Sequence, residues 1–145
     1  MAALTNKVIM TKNTTMNLDQ LNIIDPCETP YSFEYIDEND KPTGIMLSVV
    51  GSQSKDLMKW MSSEINARRR KDAMQEKRGK TVDIQTLEED IDFSIESAAR
   101  RLKGWSGITQ EWTPENALKL CTINPVVRTQ IVEQSNILGN FTVKK

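Results

Sequence analysis

A chain of 145 residues, 38% hydrophobic and 27% charged, has enough apolar content for one packed core and too much for general disorder. It has no histidine, and Cys27 and Cys121 lie far apart without metal-ligand spacing, so an enzyme, a metalloprotein and a disulfide scaffold are all disfavoured; no catalytic residue, cofactor or metal is expected. No secretory leader and no run of about 18 apolar residues occurs, which excludes a helical membrane anchor in this sequence and points to a reduced, cytosolic location.

Residues 1–30 carry short apolar clusters (Val8-Ile9-Met10, Leu21, Ile23-Ile24) among Asn and Thr and close on two prolines, Pro26 and Pro30. They read as an arm, flexible or ordered by a partner, with Lys7 to Thr11 as an alternative edge strand. A single domain is expected over 31–145. Aromatic and branched residues predict strands over 31–36 and 44–50, joined by the polar turn Asp37 to Thr43. Alternation then places Ile45, Leu47 and Val49 on one face, with Met46 and Val50 on the other.

Ser52 or Ser54 can cap a helix whose residues Leu57, Trp60, Met61 and Ile65 recur at steps of three and four, as a buried stripe requires. Its second half keeps only Ala67, Ala73 and Met74, so it is expected to project into solvent until Gly79 ends it. Thr86-Leu87-Glu88-Glu89 matches a capping box, and Leu87, Ile91, Ile95, Ala98 and Leu102 form the stripe of a second helix that is expected to end at Gly104. Thr113-Pro114-Glu115 and Asn124-Pro125 each place a cap before a proline at the first helical position. Helices are therefore predicted over 114–121 and 125–138, the latter with Val127, Ile131, Ser135 and Leu138 on one stripe before Gly139, and Phe141 in a short tail. The fold class is α+β, mainly helical: an N-terminal β-hairpin packed on about four helices.

The net charge of -1 conceals two blocks. Segment 66–80 has seven basic and two acidic residues, and 83–92 has five acidic and no basic ones. Arg68, Arg69, Arg70 and Lys71, with Lys77, Arg78 and Lys80, form a candidate interaction face. Phosphate binding is the lesser reading, because no Phe, Tyr or Trp lies between Trp60 and Phe93 to stack on bases. A basic patch on one copy meeting the acidic block on the next would make a homo-oligomer. Glu88, Glu89, Asp90 and Asp92 already serve a helix start, and Ser106 has no base to activate it, so neither group reads as catalytic. Gly104, Trp105 and Gly107 read as a tight structural loop with Trp105 as a core anchor; Trp112 is expected to be partly exposed and available to a partner.

The order of these features carries a resemblance. Thr43-Gly44 leads into a strand, and Val50-Gly51-Ser52-Gln53-Ser54 precedes a basic helix. Lys103-Gly104-Trp105-Ser106-Gly107-Ile108 follows, then Trp112-Thr113-Pro114-Glu115-Asn116-Ala117, the turn from Ile123 to Val126, and Asn140-Phe141. Over roughly 31–141 the chain resembles the tail assembly chaperones of siphophages. The resemblance implies an α+β fold, binding to the tape measure protein and to tail tube subunits in the host cytoplasm, and absence from the mature virion. It also implies a longer frameshifted form, for which Lys144-Lys145 are compatible with an adenine-rich slippery stretch. The alternatives are a virion structural protein, such as a tail-tube or head-tail connector subunit, and a small nucleic-acid-binding regulator.

Overall fold

The computed structural model describes residues 15–79 and 87–142. The expected strand at Lys7 to Thr11, Lys80, the cap at Thr86 and Lys144-Lys145 lie outside the described residues. The elements in chain order are β1 (Tyr31–Ile36), β2 (Pro42–Val49), α1 (Lys55–Lys77), α2 (Leu87–Arg101), β3 (Leu102–Ser106), α3 (Pro114–Ile123), α4 (Pro125–Asn136) and a short α5 (Gly139–Thr142). The fold is α+β and mainly helical, with a three-stranded antiparallel sheet in the order β1-β2-β3.

Local chemistry explains most of the element boundaries. The Asp37 carboxylate accepts from the amides of Asn39 and Lys41, closing the hairpin turn. Ser54, Thr113 and Asn124 each accept from an amide in the first turn of α1, α3 and α4, and proline at the start of α3 and α4 removes an amide that would have had no partner. α1 stops at Lys77, with Arg78 as its cap and Gly79 next at φ +72°.

The third strand corrects two expectations. The second helix does not run to Gly104: it ends at Arg101, and Leu102 turns into β3. Gly104 and Trp105 are therefore strand residues facing Ser48 and Leu47, not a loop. A register shift between Ser48 and Val49 absorbs Lys103, which lets the chain change from helix to strand without an intervening turn. Strand β3 thus pairs with β2, whose outer edge the hairpin alone would have left open.

Phe33, Tyr35, Leu47 and Val49 face the core, where they meet Ala98 and Ala99 of α2, Leu102 of β3, Ala117 and Cys121 of α3, and Val127 and Ile131 of α4. The opposite face is open at Met46, and there Ser32 and Ser48 hydrogen-bond through their hydroxyls at 2.8 Å. Val50, just beyond β2, is buried. Gln130 ties α4 to the end of β1 by accepting from the amide of Ile36 and donating to its carbonyl. α4 ends at Asn136, before Gly139, which opens α5; Phe141 of α5 makes an edge-on ring contact with Tyr31.

The arm joins the domain before β1. Residues Leu18–Leu21 and Asp25–Glu28 form short 3-10 turns, and Cys27 is fully buried. The Cys27 carbonyl accepts from Gly51, and the Glu28 carboxylate accepts at 2.7 Å from the amide of Lys55, the first residue of α1. Gly51 is required by this close approach, since a Cβ there would collide with Cys27. Upstream of the anchor, Leu18, Leu21, Ile23 and Ile24 remain exposed.

Candidate interaction surfaces

α1 does not bury the stripe its periodicity implies. Leu57 is buried and Trp60 and Met61 are partly so, but Ile65 is exposed. α2 behaves similarly: Leu87 and Ile91 lie in solvent, Ile95 is half-buried, and full burial begins in the turn holding Ala98. Beyond their first and last turns these helices have little of the core to pack on, so a spacing that ordinarily marks a buried face here marks an exposed one.

What joins α1 to α2 is a stack of flat groups. The rings of Trp60 and Phe93 lie 5.2 Å apart and nearly parallel. The Arg100 guanidinium sits 4.8 Å from the Trp60 centroid and that of Arg68 sits 5.1 Å from the Phe93 centroid, closing both ends of the stack with a cation. Glu96 holds Arg100 in place through contacts of 2.7 and 2.9 Å.

The four residues of the basic run differ in their surroundings. Arg68 is committed to Phe93, and with Lys71 it lines a cleft whose other wall carries Glu89, Asp92 and Glu96 of α2. Residues of the basic run and of the acidic block thus line one cleft within a single chain. Arg69 and Arg70, also exposed, point elsewhere around the helix.

Trp105 is half-buried in β3 rather than enclosed, and its Nε1 donates to the Gln110 carbonyl at 2.8 Å. Gly107 has φ +87° and turns the chain out of the sheet. Trp112 is half-buried too; it lines a cleft of about 460 Å³ with Arg100, Lys103 and Leu118, although its Nε1 is enclosed and has no hydrogen-bond partner among the described residues. A second cleft, of about 310 Å³, lies between Trp105, Ile108, Leu120 and Ile123.

Sequence reading missed Arg101. Arg101 is 5% exposed. Its Nε donates to Ser135 Oγ at 3.0 Å, and its Nη1 donates to the carbonyl and hydroxyl of Ser97. Ser135 in turn donates to the Val50 carbonyl, so one polar network joins α2, α4 and the end of β2. No carboxylate pairs with Arg101 among the described residues, and burial holds its pKa below the usual arginine range. No local pattern marks such a residue; the smallness of Ser97, four residues earlier, was the available hint.

Among the described residues no group of three or more His, Cys, Asp or Glu side chains could hold a metal ion, and no helix is long and apolar enough to cross a membrane. Burial pushes the Cys121 thiol up to about 11, an effect that the nearby Arg128 only partly opposes. An unfolded thiol ionises near its ordinary value of 9.0 while the folded one stays protonated, so the unfolded state holds fewer protons between those values. Stability conferred by Cys121 is thus complete below pH 9 and lost as pH rises towards 11. Denaturation midpoints should fall across that window more steeply for the parent than for Cys121→Ala, and equal slopes would contradict the assignment. No family model, no curated protein and no solved structure matches the chain.

Proposed function

We propose that this protein is a tail assembly chaperone of the siphophage type, which binds the tape measure protein and tail tube subunits transiently in the host cytoplasm and is absent from the mature virion. The client is what the resemblance to that family implies. One structural observation supports the manner of binding: α1 and α2 keep Met58, Ile65, Met74, Leu87 and Ile91 between 39% and 75% exposed. A long helical client carries apolar stripes that aggregate when uncovered, and a helical pair with its own exposed apolar residues can cover them reversibly. The exposed side chains of the arm extend the same surface chemistry.

Replacing Arg68, Arg69, Arg70 and Lys71 together by Ser is expected to cost about 1 kcal/mol or less, because these cations are solvent-exposed and only Arg68 lies over a ring. Retention of the tape measure protein in a pull-down should nevertheless fall, since the run flanks the exposed stripe of α1. Unchanged retention would remove this face from the client interface. Mass spectrometry of purified virions tests the wider proposal: the chain should be absent, and its presence in subunit stoichiometry would replace the chaperone reading by a structural one.

A further inference from the structure

Arg101 forms one wall of a mostly apolar cleft of about 320 Å³ between α1 and the end of α4, opposite Met58, Met61 and Ile65. Its Nε and Nη1 are taken by Ser135 and Ser97, whereas Nη2 makes no hydrogen bond among the described residues. Trp112 Nε1 is the enclosed side-chain donor that lacks a partner among those residues, so the unused edge of the Arg101 guanidinium is not sealed inside the fold. A desolvated guanidinium without a counter-anion is costly, and an apolar surrounding strengthens its pull on any carboxylate that arrives.

We propose that this cleft is a docking site for an apolar helical segment of another protein, with a Glu or Asp side chain of that segment pairing with Nη2 of Arg101. Met58, Met61 and Ile65 lie at steps of three and four along α1, the arrangement that accepts the apolar ridge of a second helix. Met58 and Ile65 are 39% and 43% exposed, so contact with that ridge would bury surface now left in water. Methionine adapts its shape to different partners, which suits a site that recognises pattern more than one sequence. Arg69, one helical turn beyond Ile65 and exposed, extends the cationic character along the same stripe. The occupant is therefore acidic and apolar, not basic, and the site is argued from Arg101 independently of which protein supplies the segment.

The test is a titration of the full chain, followed by amide NMR, with a synthetic helical peptide of about 16 residues built from Leu, Ala and Glu, and with its Gln-for-Glu counterpart. The Glu peptide is expected to shift the amides of Ser52, Ile65 and Asn136 and to bind about tenfold more tightly than the Gln peptide. Arg101→Met should abolish that preference. Because this variant also cuts the polar network and can fail to fold, Ile65→Glu serves beside it: an exposed substitution that brings the chain's own carboxylate to the cleft and should equally remove the preference. Equal affinity for the two peptides, a preference that survives Ile65→Glu, shifts confined to another surface, or no binding of either peptide would each overturn the proposal.

Discussion

Leu47→Ala should destabilise the protein by about 3 to 4 kcal/mol. Leu47 is fully buried at the centre of the middle strand, with Phe33 opposite on β1 and Trp105 opposite on β3. Removing its side chain loses the transfer free energy of the buried carbons and leaves a cavity that neither neighbouring strand can close without breaking register. Because a domain of this size is stable by only about 5 to 15 kcal/mol, a loss of that size is readily measured. Chemical denaturation should show a lower midpoint with an unchanged slope. A loss below about 1 kcal/mol would mean that the sheet does not pack on the helices as described.

Gly107→Val should cost about 2 to 3 kcal/mol, through backbone conformation rather than packing volume. The residue has φ +87°, where a β-branched side chain is strained whatever the space around it. Space is also short: a Cβ there would stand 3.2 Å from Ile45 Cα and 3.3 Å from the Gly44 carbonyl oxygen, both backbone atoms of β2 that cannot swing aside. Gly104→Ala is the matching control, because its Cβ would meet Ser48 Cβ at an ordinary 3.8 Å and its φ is not positive. It should cost less than about 1 kcal/mol. The contrast separates strand from loop: were both glycines part of a tight loop, as their spacing around Trp105 first implies, both substitutions would be costly.

Elements fixed by neighbouring residues were legible in the sequence. The caps at Ser54, Thr113 and Asn124, the helix end at Gly79 and the turn from Asp37 are each made by residues within four positions of the group they satisfy, so composition alone betrays them. Strand β3 was not legible, because Leu102 continues the spacing of Ile95 and Ala98 and nothing breaks the helix before Lys103. What ends α2 at Arg101 is pairing with β2, including the Val50 amide donating to the Arg101 carbonyl, a contact about 50 residues away in sequence. The exposed stripe of α1 failed for a related reason: periodicity gives the face of a helix but not whether anything covers it. Of the surface features, the charge blocks were visible as blocks, whereas the stack from Arg100 through Trp60 and Phe93 to Arg68 needs α1 and α2 side by side.

The most direct measurement of the proposed chaperone function is the soluble fraction of the proposed client, a long helical tape measure protein, expressed alone and together with this chain at matched levels. The expected result is aggregation when the client is expressed alone, through its uncovered apolar stripes, and recovery in the soluble fraction as a complex when this protein is present. A client that is equally soluble with and without this protein would contradict the proposed function.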